Sequence, residues 1–225
     1  NGSYLKNNPT WHQEDSHWKA MQILKIMERN NLKPKSVCEV GCGAGEILNV
    51  LSEIYDNSVS FSGFDISADA LEICRSKAKK NLGFYNQDLF DENQMFFDVV
   101  MAIDVIEHVE DCYSFLRNLK DKGRYKILHI PLELSVQSVL RISPLLKERR
   151  EVGHIHYFAK DTALATIEYS GYKILDWFYT ARSSELPVEG WKANLMRIPR
   201  KLFYKTNEDM AARLLGGFSI MILAC

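Results

Sequence analysis

The sequence predicts an α/β fold, a Rossmann-like, doubly wound and mostly parallel sheet with helices on both faces. Three observations support this fold class. An apolar run at residues 36–40 leads through a glycine-rich turn into a helical apolar pattern. Strand-like runs and helical patterns then alternate along the chain, as βαβ units do. Residues 96–103 are apolar almost throughout, which is typical of a strand buried on both faces of a parallel sheet.

The glycine-rich turn follows the first predicted strand, where residues 36–46 read SVCEVGCGAGE. Glycines at 41, 43 and 45 allow a tight turn and let a ligand approach the backbone without meeting a Cβ atom. The helix that follows directs free N–H groups and the positive end of its dipole at the turn. The sequence therefore predicts a nucleotide-type ligand site at the tip of the first strand.

The remaining elements can be placed from the same patterns. Before the turn, we expect a helix from Ser16 to about Asn30. After it come a helix at 46–55, a strand at 59–66, a helix at 68–80, a strand at 82–86 and the strand at 96–103. Further on, the pattern predicts a helix at 104–119, a strand at 124–130 closed by Pro131, a helix at 160–170, a strand at 172–179, a helix at 207–215 and a strand at 218–224. In the helix at 68–80, we expect the inward positions to be Leu71, Ile73, Cys74 and Ala78.

Two segments are too long for tight connections, and loops of such length are usually functional. They are residues 131–158, with a short helix near Val136–Ile142, and residues 181–205. The second holds six basic and two acidic residues, which suits an acceptor that bears phosphate or carboxylate and equally suits a solvated surface.

Composition fits one globular domain of 225 residues, since 46% of the residues are hydrophobic and 25% are charged. A net charge of −1 gives no bias towards nucleic acid or membrane, and no apolar run approaches a membrane span. No signal-peptide pattern is found, and five cysteines without C-x-x-C spacing are expected to be reduced, so we expect a cytoplasmic protein. What precedes Asn1 and the oligomeric state are left open.

An acidic residue, Asp65, ends the second predicted strand, 20 residues after Gly45. A carboxylate there can accept hydrogen bonds from both hydroxyls of a ribose. Nucleotide cofactors of different classes share this feature, so Asp65 predicts a ribose and does not identify the cofactor.

The spacing of the glycines distinguishes the cofactors. Glu46 stands where a dinucleotide fingerprint has its third glycine, and Glu39 lies two residues before Gly41. This E-x-G-x-G-x-G pattern resembles the first motif of class I S-adenosylmethionine (AdoMet) dependent methyltransferases. The later run FDVVMAIDVIEHVED, residues 97–111, resembles the fourth motif of methyltransferases related to the ubiquinone-biosynthesis O-methyltransferases. These two motifs and the strands that end near Asp65 and Asp88 follow one another in the order of that family. The resemblance covers roughly residues 35–180.

The resemblance implies AdoMet as the cofactor and assigns residues to it. Glu39 would help to hold its methionine end, and the glycines Gly41, Gly43 and Gly45 would let the backbone approach it. Asp65 would bind its ribose, and Ile66 beside it belongs to the expected set. Asp88, with Asp91 as its competitor, would accept from the adenine amino group, and the backbone of Leu89 would meet the ring. Ala102 and Asp104, at the end of the fourth strand, complete the expected set. The fold implied is a seven-stranded sheet with an antiparallel last strand.

The resemblance also implies one methyltransferase domain over residues 1–225. Residues 1–30 would supply a flap and a helix, with Trp11 and His12 in the flap, and residues 131–158 and 181–205 would be inserts on the substrate side.

Methyl transfer to a hydroxyl needs alignment of the acceptor and removal of its proton. Histidine is the natural base near neutral pH, and His108, His154 and His156 should lie at the carboxyl edge of the sheet. If their segment is extended, His154 and His156 point to opposite sides, and we expect His154 to face the cavity near His108. His129, inside the fifth strand, is expected in the core or behind the reacting groups.

A metal is the alternative use of these residues. Asp104, Glu107 and His108 have D-x-x-E-H spacing and, with His154 or His156, offer oxygen and nitrogen ligands for Mg²⁺ or another divalent ion. The pattern resembles the E-x-x-E-H site of the small-RNA 2′-O-methyltransferases. A third interpretation gives the same groups purely structural hydrogen bonds.

The function predicted is methyl transfer from AdoMet to a hydroxyl of a small molecule, such as a sugar or a natural-product intermediate. Nucleic acid is an unexpected partner because the whole chain is close to neutral. Three alternatives remain open: a metal-dependent RNA 2′-O-methyltransferase, an NAD-binding oxidoreductase and a cofactor-binding module without catalysis.

Overall fold

A computed structural model describes residues 15–92, 94–186 and 191–225. The segment predicted to form a flap, with Trp11 and His12, lies outside these residues.

The centre of the fold is a seven-stranded sheet with the strand order β3-β2-β1-β4-β5-β7-β6. β1 to β5 run parallel, whereas β7 lies antiparallel between β5 and β6, so the predicted fold class is confirmed. The strands are β1 Ser36–Val40, β2 Ser60–Phe64, β3 Leu82–Tyr85, β4 Phe97–Ile103, β5 Gly123–Leu132, β6 Ile174–Thr180 and β7 Phe218–Ala224. The strand order reverses between β1 and β4, and ligands of such sheets bind beside that point, at the carboxyl ends of the strands.

Helices cover both faces of the sheet and bury two apolar layers. In chain order they are α1 Ser16–Arg29, α2 Glu46–Ile54, α3 Ala68–Cys74, α4 Cys112–Lys120, α5 Val136–Arg141, α6 Ser143–Glu151, α7 Lys160–Tyr169, α8 Arg182–Glu185, α9 Trp191–Thr206 and α10 Glu208–Leu215. α1 and α2 pack on one face, and α4, α7 and α10 on the other. Residues of β4 alternate between the two layers, which is why its sequence is apolar nearly throughout.

Two expectations beside β4 and β5 were wrong. No helix begins at Asp104, whose backbone is left-handed at φ 54°; a single 3₁₀ turn over Ile106–His108 follows, and α4 begins at Cys112. Pro131 does not close β5, which continues to Leu132. The pairing of β4 ends opposite His129, so from there β5 pairs with β7 alone and has one open edge, where a proline is tolerated.

Two helical predictions also need correction. α3 ends at Cys74 and only a 3₁₀ turn over Arg75–Lys77 follows, so Ala78 is exposed instead of inward. The insert 131–158 contains two helices, α5 and α6, where the sequence predicted one. They meet at Ile142, whose backbone is left-handed at φ 57°. Within the described ranges, no helix combines the length and the apolar character that crossing a membrane requires.

Candidate active site

A cavity of about 950 Å³ opens at the carboxyl ends of β1, β2 and β4. The residues that line it come from α1, the glycine turn, the loops after β2 and β4, the insert after β5, and the start of α8. They are Asp15, Ser16, Trp18, Lys19, Glu39, Gly41, Cys42, Gly43, Ala44, Glu46, Ile47, Asp65, Ile66, Ser67, Ala68, Asp69, Ile103, Asp104, Val105, Glu107, His108, His129, Pro131, Glu148, Val152, His154, Arg182 and Ser219.

The glycine turn is held against the end of β2. The amides of Gly41 and Cys42 donate to the carbonyl of Phe64, at 2.8 and 3.2 Å. The Gly43 amide donates to Oδ2 of Asp65 at 2.8 Å. Gly41 and Gly43 have φ values of 69° and 52°, which any side chain would make costly. The turn therefore keeps an open backbone surface towards the cavity.

Asp65 organises the rim beside this turn. While Oδ2 accepts from Gly43, Oδ1 accepts from the Ser67 amide at 2.8 Å. A carboxylate has about four lone-pair sites, so two backbone bonds leave capacity for a ligand's hydroxyls. Ile66, the next residue, lines the same wall and is exposed.

Six of the ten residues predicted to bind the cofactor line this cavity: Glu39, Gly41, Gly43, Asp65, Ile66 and Asp104. The other four are placed elsewhere. Gly45 caps α2, and a Cβ there would lie 2.4 Å from the Phe84 ring. Asp88 is exposed and accepts from the Phe90 amide at 2.9 Å. Leu89 and Ala102 are core residues. The adenine contacts assigned to Asp88 and Leu89 remain predictions.

Asp104 joins three elements at the floor of the cavity. Its Oδ2 lies 2.7 Å from the Lys19 ammonium on α1, and its Oδ1 lies 2.5 Å from Nδ1 of His129 on β5. The other ring nitrogen of His129 meets Oγ1 of Thr180, at the end of β6, at 2.8 Å. Burial alone would raise the pKa of Asp104, but the charges of His129 and Lys19 outweigh it and hold that pKa well below its usual range.

Sequence reasoning missed Lys19. Burial lowers the pKa of its ammonium, yet Asp104 more than compensates and the pKa is raised. A signal was present, because Lys19 precedes the buried residues Ile23 and Ile26 by four and seven positions and so falls on the inward stripe of α1. Next to it, the Trp18 indole donates to Glu185 of α8 at 2.7 Å, which ties α1 to α8.

The structure places His108 and His154 side by side, as expected from the sequence. The rings of His108 and His154 lie 4.7 Å apart, and both line the cavity. His156 turns away, with Nε2 at 2.8 Å from the Val109 carbonyl. Nδ1 of His154 lies 2.7 Å from Oε1 of Glu133, a residue of the insert that sequence reasoning did not single out.

Two buried acids, one beside the histidines and one beside the glycine turn, lack full hydrogen bonding. Glu107 is fully buried and, among the described residues, neither of its oxygens has a hydrogen-bond partner. Burial, reinforced by the charge of Asp104, raises the pKa of Glu107 well above its usual value. Glu39 is buried with Oε2 unpartnered, and burial raises its pKa too. Unpartnered buried acids are costly, so their place in a ligand cavity is informative.

The same region can supply metal ligands. Two groups of three residues each offer ligand atoms that lie within 4.8 Å of one another. One group is Glu107, His108 and His154, and the other is Glu133, Glu148 and His154. Asp104, expected as the first ligand, belongs to neither group because it is occupied by Lys19 and His129. The second group contains Glu133 and Glu148 of the insert.

Comparison with known proteins shows the family of the chain. A family model described as a methyltransferase domain matches residues 11–176, and the chain belongs to this family. Its fold is that of the class I AdoMet-dependent methyltransferases.

Among curated relatives, the ubiquinone biosynthesis O-methyltransferase of Actinobacillus pleuropneumoniae serotype 5b is 30% identical over 135 residues, which are 52% of this chain and 56% of the relative. The tRNA N(3)-methylcytidine methyltransferase of Drosophila melanogaster is 27% identical over 147 residues, 52% of this chain and 45% of that protein. The chain thus spans about half the length of the curated relatives it matches.

Solved structures share the fold at low identity. The magnesium protoporphyrin IX methyltransferase of Synechocystis PCC 6803, with bound S-adenosylhomocysteine (SAH), aligns with a TM-score of 0.60 at 18% identity, covering 97% of this chain and 85% of that one. The N-methyltransferase NodS of Bradyrhizobium japonicum, also with SAH, aligns with a TM-score of 0.60 at 12% identity, covering 100% and 98%.

Glu107 gives a pH-dependent prediction. Because its pKa is raised on folding, the folded protein holds a proton that the unfolded chain releases above about pH 4.3. Stability should therefore fall as pH rises from about 4.3 towards the raised pKa of Glu107 in the folded protein. Glutamine does not titrate, so Glu107→Gln should be more stable than wild type at pH 7, by roughly 1–3 kcal/mol, with the difference gone near pH 4. Urea unfolding in EDTA at the two pH values measures it.

The matched control is Glu110→Gln, which changes an exposed acid three residues away and should leave stability within about 0.5 kcal/mol of wild type. Equal destabilisation by Glu107→Gln at both pH values would show that Glu107 is stabilised by a partner.

Proposed function

We propose that this protein transfers the methyl group of AdoMet to a hydroxyl of a small molecule bound in the cavity. One observation carries the proposal: a single cavity joins the glycine turn and Asp65 to His108, His154 and Glu107. A site for a nucleoside and a site for proton removal thus adjoin each other. The AdoMet-dependent class of the family supports the donor, and the identity of the acceptor is our inference.

The residues present fit AdoMet. Asp65 has capacity for the two ribose hydroxyls, with Ile66 beside the base. Lys19 would pair with the carboxylate of the methionine end, and the unpartnered Oε2 of Glu39 would accept from its ammonium. The sulfonium would supply an activated methyl, and a cationic ligand beside the buried acids Glu39 and Glu107 would favour their ionised form.

His154 is the base that the geometry favours. An ionised Glu133 can only accept, so Nδ1 of His154 carries the proton and Nε2 is left to accept one. Nε2 of His154 would take the proton of the acceptor hydroxyl while AdoMet, when bound, would supply the methyl group to the hydroxyl oxygen and leave as SAH. Glu133 then stabilises the imidazolium, as the acid of a catalytic triad does.

A divalent metal is the second candidate, favoured by the unpartnered Glu107 carboxylate within 4.8 Å of ligand atoms on His108 and His154. These residues would hold Mg²⁺ or another divalent ion, which supplies Lewis acidity to the acceptor oxygen. Glu133 and Glu148 would orient His154 or complete the ligand set.

The acceptor is proposed to be small and to carry an anionic group. Arg182, which is paired with Asp15, lines the cavity and belongs to the basic insert 181–205. A sugar or a natural-product intermediate with phosphate or carboxylate fits this description. The five free cysteines agree with the cytoplasmic location that we propose for the protein.

The cofactor proposal predicts that Asp65→Ala weakens AdoMet binding by roughly 1.5–3 kcal/mol, because a charge-assisted pair of hydrogen bonds is lost. Isothermal titration of AdoMet into wild type and variant measures it. Asp121→Ala, which removes an exposed acid at the end of α4, is the control and should bind as wild type does. Tight binding of NAD with none of AdoMet would contradict the proposal.

Titration with Mn²⁺, followed by electron paramagnetic resonance, separates the metal from the base. If a metal is held here, wild type and His156→Ala should bind Mn²⁺, whereas Glu107→Gln and His154→Ala should bind at least tenfold more weakly.

If wild type binds no metal, His154 acts as the base. EDTA should then leave turnover unchanged, and His154→Ala should lower it about 10²-fold with AdoMet affinity intact. Full turnover by His154→Ala in EDTA would exclude both roles.

A further inference from the structure

Two cysteine thiols lie in contact beside the glycine turn. Cys42 belongs to the turn and Cys74 is the last residue of α3, so α2 and β2 separate them in the chain. The Cys42 thiol donates a hydrogen bond to the sulfur of Cys74. The Cys74 thiol in turn donates to the carbonyl of Gly43 at 3.1 Å. The fold therefore brings two sulfurs together at the turn that borders the cavity.

Two glycines make room for this pair. A Cβ atom at Gly63, on β2, would lie 2.9 Å from the sulfur of Cys42, and a Cβ atom at Gly45 would lie 3.0 Å from the sulfur of Cys74. Side chains at these two positions would push the sulfurs out of place. Cys42 and Cys74 are thus packed against each other between the glycine turn, β2 and α3, as two thiols must be in order to join.

The two thiols differ in access and in acidity. Cys42 lines the cavity and is 7% exposed, whereas Cys74 is fully buried. The hydrogen bond to Cys74, with burial, raises the pKa of the Cys42 thiol well above its usual value. The same hydrogen bond, with the charge of Lys77, lowers the pKa of Cys74. Cys42 is therefore the sulfur that an oxidant in the cavity can reach, and Cys74 is the sulfur held ready to attack it.

We propose that Cys42 and Cys74 form a reversible disulfide when hydrogen peroxide enters the cavity. The Cys42 sulfur attacks a peroxide oxygen, the oxygen–oxygen bond breaks, and the leaving hydroxide takes the thiol proton to form water and a sulfenic acid. The Cys74 sulfur then attacks that sulfur, the sulfur–oxygen bond breaks as the sulfur–sulfur bond forms, and a second water leaves with the Cys74 proton. The two sulfurs lose two electrons in all, which the peroxide gains. A dithiol reductant reverses the reaction by thiol–disulfide exchange.

The disulfide changes the turn that carries Cys42. It brings the two sulfurs to about 2.05 Å, closer than a hydrogen-bonded contact between thiols. It also removes the thiol proton that Cys74 donates to the Gly43 carbonyl. The glycine turn is thereby drawn towards α3, and AdoMet affinity falls. This consequence rests on the proposed function, whereas the disulfide itself does not.

Peptide mapping of the full chain tests the disulfide. Reduced wild type is treated with hydrogen peroxide at pH 8.5, which favours the reaction because the pKa of Cys42 is raised. Proteolysis without reduction, followed by mass spectrometry, should find a linked Cys42–Cys74 peptide that is lighter by two hydrogen atoms and is separated by dithiothreitol. Isothermal titration should show AdoMet affinity at least tenfold lower after peroxide and restored by dithiothreitol.

Serine variants, each compared with its own untreated sample, identify the cause. Neither Cys42→Ser nor Cys74→Ser should give the linked peptide, and peroxide should leave the AdoMet affinity of Cys42→Ser unchanged. The control is Cys225→Ser, which removes the partly exposed thiol at the chain end and should respond to peroxide as wild type does.

Absence of the linked peptide from oxidised wild type would overturn the proposal, and so would a linked peptide with unchanged AdoMet affinity. An equal loss of affinity in Cys42→Ser would also overturn it. If reduced wild type binds no AdoMet, the proposed function fails, and the linked peptide still decides whether the disulfide forms.

Discussion

The rest of the site depends on the charge of Asp104, held where β4 ends. Its left-handed backbone stops a helix from forming directly after the strand, so the carboxylate stays in the cavity floor. There it binds Lys19 from α1 and His129 from β5, and His129 in turn reaches Thr180 on β6. One ionised group thereby fixes four elements relative to the glycine turn. Its depressed pKa is the electrostatic measure of how far the folded state favours this charge.

The neighbouring acids show the opposite behaviour. Glu39 and Glu107 are buried without full hydrogen bonding, and burial raises the pKa of both. At Glu107 burial is the main cause, and Asp104, which is already paired with Lys19 and His129, adds its own negative charge. Folding thus leaves two buried acids without full hydrogen bonding in the wall of a cavity, at a cost in stability. A ligand that carries positive charge, whether a sulfonium cofactor or a divalent ion, would offset that cost on binding.

The sequence was sufficient for most of the fold because strands and helices have local signatures. The last strand, Phe218–Ala224, was predicted with its observed bounds, since a short apolar run after two glycines is read without tertiary information. The end of β5 at Pro131 was predicted wrongly, because a strand tolerates a proline where its neighbour on one side has ended, and the sequence does not show where that is. Six of the ten residues assigned to the cofactor from motifs line the cavity. Lys19, Glu133 and Glu148 were not predicted. They come from distant segments, and a lone lysine or glutamate on a helix usually lies in solvent.

A crystal structure of the protein with SAH tests the central claim most directly, namely that the glycine turn, Asp65 and the His108–His154 pair form one methyl-transfer site. We expect the ribose hydroxyls within hydrogen-bond distance of the Asp65 carboxylate, the amino-acid end between Lys19 and Glu39, and the sulfur directed towards His154. SAH bound at another surface, or bound here with its sulfur turned away from both histidines, would contradict it.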